Sequence, residues 1–206
     1  MSSTTPEIRG VYFDWGGVLA EEGFREGLKA IGSRGGLEPE AFFQAAVDVI
    51  WNTGYVTGGC AEATWWEAVR TATGIAGTDA ALRHEILSRF IPRPWMFDLV
   101  ERLRAAGLRL GILSDQTNWL DELDAELRVF RHFDVVLNSF HEGHTKSEAA
   151  FFDMAVERMG VPAGATLFVD DNQGNVDVGR SRGLNCILYT GRRAFEDAFA
   201  KFLPRI

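Results

Sequence analysis

Four short stretches of the sequence carry side chains that could do chemistry together. "EIRGVYFDWGGVLA" (residues 7–20) ends an apolar run on a lone acid, Asp14, then passes through Trp15-Gly16-Gly17 before turning apolar again. "GILSDQTN" presents Ser114 followed by Asp115, and "GHTKSEAAFF" presents Lys146 just ahead of a helical pattern. "VDDNQGN" presents Asp170, Asp171 and Asn175. A surface turn would explain the two glycines after Asp14, but not a carboxylate at the C-terminal end of what reads as a buried strand. A nucleophile-grade acid, a hydroxyl, a lysine and an acidic pair form a reactive set if the fold brings them to one rim.

The elements that would do so are legible. "GVYFDW" (10–15) is short, β-branched and aromatic, which predicts a buried strand, and the runs at 108–114, 133–139, 165–170 and 185–190 have the same character. Between them, 94–107 begins with Pro and ends with Gly, 147–160 has Ser at its start and Gly at its end, and 175–183 is a shorter helix. Buried strands alternating with helices predict an α/β fold, a Rossmann-like parallel sheet flanked by helices. In an open parallel sheet, ligands sit beyond the carboxyl ends of the strands, where Asp14, Ser114 and Asp170 fall. Residues 21–93 break the rhythm. Amphipathic helices at 39–54, 61–74 and 78–90 follow one another with no convincing strand between them. The expected organisation is therefore a core of residues 1–20 and 94–206 carrying an all-helical insertion at 21–93.

Composition limits the rest. The chain has 206 residues, 46% of them hydrophobic, enough for a sizeable core. Its net charge of −8 argues against a nucleic-acid partner, which needs concentrated Lys and Arg. No run of about 18 apolar residues and no signal-like start is present, so the expectation is a cytoplasmic protein without membrane contact. Cys60 and Cys186 stand alone, arguing against a zinc site or disulfide framework. "HEGH" (141–144) spaces its histidines three apart rather than four and does not make the zinc pattern HExxH.

The ordered set of strand-end residues resembles the haloacid dehalogenase superfamily, aspartate-nucleophile hydrolases that are mostly phosphatases. "FDWGGVL" matches the first motif, DxDGT/V, except at the second acid. Ser114 matches the strand-terminal Ser or Thr, and Lys146 matches the lysine before a helix, with Ser147 where Pro is usual. "DDNQGN" matches the acidic pair followed by Asp or Asn. The helical insertion also falls where the family places its mobile cap.

The resemblance implies Mg²⁺ as cofactor, a hard cation that takes oxygen ligands. Its ligands would be Asp14, Asp171, Asp170 directly or through water, and the carbonyl of Gly16, which survives the loss of the second acid. It also implies a small organophosphate substrate attacked by Asp14, with Ser114 and Lys146 binding the phosphoryl group. Backbone N–H groups around Trp15 and Gly16 would complete the anion cradle beside Asp115, and Asn175 would support the acids. The departure is at Gly16: the family's second Asp protonates the leaving alkoxide and activates water, and glycine can do neither. Asp115 and His144 are the candidates to replace it. Three other readings are open. Phosphonatases of the superfamily lack the second acid too, but need a cap lysine, and only Lys29 lies in the insertion. The 2-haloacid dehalogenases also lack it, but work without metal, where a pair like Asp170-Asp171 would be unhelpful. A non-catalytic protein would keep the metal and phosphate pocket for binding alone. The aromatics Trp51, Tyr55, Trp65 and Trp66 are expected to pack the insertion's own helices, with one or two facing a substrate.

Overall fold

A computed structural model describes residues 7–204. The first strand, β1 (Gly10–Phe13), is buried at every position and takes the centre of the sheet. Its side chains alternate between two cores. Val11 and Phe13 join the larger cluster on one face, while Tyr12 points to the other, where its hydroxyl donates to the carbonyl of Ala155 at 2.9 Å. β2 (Arg109–Ser114) and β4 (Thr166–Asp170) flank it, and β3 (Val135–Asn138) and β5 (Asn185–Leu188) form the edges. All pairings are parallel, in the order β3-β2-β1-β4-β5. The registers Phe13↔Ile112 and Phe13↔Val169 align the ends of the three central strands, so Asp14, Ser114 and Asp170 emerge at one rim.

Between β1 and β2 run five helices: α1 (Gly23–Arg34), α2 (Pro39–Thr53), α3 (Glu62–Thr73), α4 (Asp79–Leu87) and α5 (Pro94–Ala105). α1 packs on α2 and α4, whereas α5 packs on β2. The reading of residues 21–93 anticipates α2, α3 and α4 but not α1. Gly23, Gly27 and Gly32 weaken its helical pattern, yet each lies on a close contact: a Cβ on Gly27 would stand 2.6 Å from the Cα of Ile86. The core is completed by α6 (Trp119–Leu127), the short α7 (Ser139–Glu142), α8 (Ala149–Met159), α9 (Gln173–Ser181) and α10 (Arg192–Phe199). α10 was not anticipated; it is held by Phe195 and Phe199, one turn apart and both buried.

The aromatics of the insertion do not pack only among themselves. Trp65 and Trp66 have ring centroids 4.2 Å apart; Trp65 stacks on Tyr55, and both tryptophans meet Trp119 of α6. Polar contacts follow the same seam. The Tyr55 hydroxyl donates to Asn118 Oδ1 at 2.6 Å, the Trp119 indole N–H to Glu62 Oε2 at 2.9 Å, and the Ser139 hydroxyl to the carbonyl of Val56 at 2.8 Å. The insertion is thereby docked against the rim where the reactive residues emerge.

Candidate active site

Asp14 leaves β1 with its N–H donating to the carbonyl of Val169 at 2.9 Å, one last ladder bond that fixes its backbone to β4. Its Oδ1 accepts from the N–H of Trp15 at 2.7 Å and from the Ser114 hydroxyl at 2.6 Å. Its Oδ2 lies 2.8 Å from Lys146 Nζ, and the same amine donates to Asp170 Oδ2 at 2.7 Å. Asp170 also accepts from the N–H of Asn172 at 2.7 Å and from the Asn175 amide at 3.2 Å to each oxygen. Asn172 is the N-cap of α9, so the turn that starts this helix also grips the last residue of β4.

Lys146 is 2% exposed and Asp170 fully buried, so the ion pairs gain strength from a low-dielectric setting. Burial works against the charge of Lys146, but Asp14, Asp170 and Asp115 outweigh it and hold the amine above the ordinary lysine range. Burial pushes Asp14 upward and Asp170 adds repulsion, while Lys146 and Ser114 pull back. Asp115 is also raised by burial; its Oδ1 accepts from the backbone N–H of Lys146 at 2.9 Å. Asp171 is pushed up to about 6, by burial first, then by the charges of Asp170 and Glu22.

One buried amine thus faces four aspartates, and the cluster is short of positive charge. Asp14, Asp170 and Asp171 each offer a carboxylate oxygen, all within 4.8 Å of one another. Oxygens on one Mg²⁺ at about 2.1 Å lie roughly 3–4 Å apart, so small side-chain shifts would let these acids hold such an ion. Gly17 makes room for the Asp171 carboxylate. Its φ is +78°, and a Cβ there would stand 2.1 Å from Asp171 Oδ2.

The site opens into a cavity of about 320 Å³ between the rim and the insertion. Asp14, Gly16, Asp115, Lys146, Asp171 and Asn175 line it, with Ser114 and Asp170 bonded just beneath. Two expectations fare differently. Trp15 is fully buried with its side chain in the core, and its N–H is engaged by Asp14 Oδ1. His144 is exposed, pairs with Glu148 at 2.8 Å and does not line the cavity; His141 pairs with Asp121 instead. The sequence reading also missed wall residues: the polar Glu22, Gln116 and Thr117, and the apolar Phe24, Phe43 and Ile50. Trp51, 49% exposed, is the one aromatic among Trp51, Tyr55, Trp65 and Trp66 that faces the cavity. Glu22 stands at the N-cap of α1, a position where glutamate is not a favoured residue, so no spacing rule exposes it.

Comparison with known proteins agrees with this fold. Residues 8–183 match the family of haloacid dehalogenase-like hydrolases. A HAD family enzyme from Bacteroides thetaiotaomicron, solved in complex with magnesium and inorganic phosphate, superposes with a TM-score of 0.71 at 23% identity, covering 90% of this chain and 94% of that one. L-2-haloacid dehalogenase from Xanthobacter autotrophicus gives 0.66 at 19% identity, covering 94% and 82%. The mouse protein acyl-CoA dehydrogenase family member 10 is 26% identical over 122 residues; the match takes in 59% of this chain but 11% of the mouse protein. With the family matched from Ile8 to Gly183 and its sheet, insertion and rim all in place, this chain belongs to the haloacid dehalogenase-like hydrolases.

Proposed function

We propose that the protein is a Mg²⁺-dependent phosphatase that hydrolyses a small organophosphate through an aspartyl-phosphate on Asp14. The observation that carries this reading is the Lys146 amine, 2.8 Å from Asp14 and 2.7 Å from Asp170, beside a third carboxylate on Asp171. A carboxylate nucleophile and a phosphate dianion repel each other, and the arrangement supplies what such a pair requires. Asp14, Asp170, Asp171 and the Gly16 carbonyl would hold the ion. Bound there, Mg²⁺ neutralises charge on the nucleophile and on the transferring group.

The rest falls to the chain's own residues. The Trp15 N–H and Ser114 hydroxyl orient the Asp14 carboxylate. An Asp14 oxygen attacks phosphorus in line, the ester P–O bond breaks, and water later cleaves the acyl phosphate to release inorganic phosphate. Ser114 and Lys146 already converge on Asp14, so a phosphoryl group arriving there meets a hydroxyl donor and an ammonium. Asn175 holds Asp170 in place for Lys146. Catalysis of this kind is mostly positioning and charge neutralisation, and the docked insertion limits water at the rim.

The bound phosphate and magnesium of the Bacteroides thetaiotaomicron enzyme favour this reading by analogy of fold. Lys29 ion-pairs with Glu40 at 2.7 Å and does not line the cavity, which leaves a phosphonatase without its Schiff-base amine. The test is turnover of phosphate esters with graded leaving groups, with and without Mg²⁺. Metal-dependent release of phosphate is expected, and Asp14→Asn should lower it at least about a thousandfold. Phosphate binding without turnover of even aryl esters would mark a binding protein. Halide release from 2-haloacids without metal would mark a dehalogenase.

A further inference from the structure

The phosphatase reading leaves the departing alkoxide without a proton. Of the carboxylates in the cavity wall or just beneath it, most are already engaged. Asp14 is the nucleophile, Asp170 lies under Lys146 and Asn175, Asp115 binds the N–H of Lys146, and Asp171 belongs to the three-acid cluster. Glu22 is different. It lines the same cavity, and only its Oε1 is used, accepting from the N–H of Arg25 at 2.9 Å. Among the described residues its Oε2 makes no hydrogen bond or ion pair.

The position of that free oxygen is specific. A Cβ built on Gly16 would stand 3.2 Å from Glu22 Oε2, 3.2 Å from the Phe90 ring and 3.7 Å from the Gln116 amide nitrogen. The chain folds back to put it there. The N–H of Ala20 donates to the carbonyl of Trp15 at 2.9 Å, that of Glu21 to Ile91 at 2.9 Å, and that of Arg93 to Leu19 at 2.9 Å. These bonds pin the segment from Asp14 to Glu22 into a tight return. The start of α1 is seated against Phe90, where a Cβ on Gly23 would come within 2.5 Å of the ring. The Glu22 charge is also felt at Asp171, which lines the same cavity.

Resting on the phosphatase reading, we infer that Glu22 is the catalytic acid and base, its carboxyl reaching from the cap of α1 into the space that a side chain at position 16 would fill. In the first step the Glu22 carboxyl gives its proton to the ester oxygen as the P–O bond breaks, and Asp14 becomes phosphorylated. In the second step the Glu22 carboxylate takes a proton from water as the water oxygen attacks phosphorus. Asp14 and the protonated Glu22 are regenerated, so the cycle balances.

Glu22→Gln is the informative variant, because an amide oxygen still accepts from Arg25 and preserves the cap. Alkyl phosphate turnover should fall about 10²- to 10⁴-fold. The first-turnover burst of phenolate from an aryl ester with a good leaving group should persist, and acid-quenched protein should accumulate phosphorylated Asp14 in mass spectra. Glu22→Asp should recover part of the alkyl rate. A uniform loss across all leaving groups, without phosphoenzyme, would reduce Glu22 to a structural cap and overturn the inference; so would an alkyl rate within about twofold of wild type. If the wild-type protein itself transfers no phosphoryl group to Asp14 from any ester, the inference falls together with the phosphatase reading.

Discussion

Each candidate residue of the site is constrained by a neighbour. Lys146 would be an ordinary solvated lysine but for the two carboxylates that hold its buried amine at 2.8 and 2.7 Å. Gly17 shows the same dependence in the backbone. A side chain there would be strained at φ +78° and would collide with Asp171. Gly17→Ala is therefore expected to cost about 1–3 kcal/mol of stability and to displace Asp171 from the acid cluster. Urea midpoints check the first effect, and a calorimetric Mg²⁺ titration checks the second. Retained Mg²⁺ affinity in a folded Gly17→Ala protein would show that Asp171 is not needed for the ion.

At the scale of elements, the insertion is held by close helix packing and by an aromatic seam to the core. α1 approaches α4 so nearly that only glycine fits at position 27. Gly27→Ala should destabilise by about 1–3 kcal/mol despite alanine's better helix propensity, because the added methyl meets the Ile86 backbone. Gly164→Ala, at a site with nothing within 4 Å, should stay within about 0.5 kcal/mol of wild type. Equal urea midpoints for the two variants would mean that α1 and α4 can shift apart freely. The glycines that allow this approach also hid α1 in the sequence, since a pattern rule scores them as breakers rather than as contact points.

For the whole molecule, the proposed reading makes the acid cluster a link between stability, pH and metal. Asp171 is raised to about 6 in the folded state from an ordinary 3.8. Between those values the folded protein holds the proton more firmly than the unfolded chain does, so this contribution is present at low pH and is lost as pH rises through about 6. In EDTA, Asp171→Asn should melt near wild type at about pH 4 and increasingly above it as the pH approaches 7. Mg²⁺ at 100 times its Kd should stabilise the wild type by about 2.7 kcal/mol at neutral pH, and the variant less. An unchanging difference in melting temperature across this range would separate Asp171 from the effect. Among the described residues, no helix is long and apolar enough to cross a membrane.

By itself the sequence determined the alternation of strands and helices, the helical interruption after the first strand, and the place of the candidate site residues at three strand ends. These are readable because local pattern records them: an apolar run closed by an acid, a hydroxyl or an acidic pair needs no knowledge of its partners. Ser114 and Asp170 stand where the pattern put them, at the ends of β2 and β4. Only the tertiary structure decided that Trp15 turns into the core, that His144 pairs with Glu148 away from the cavity, and that Glu22 fills the space beside Gly16. That space is set by a chain return pinned through Ile91 and Leu19 and by the ring of Phe90, contacts across about seventy residues that no local spacing encodes.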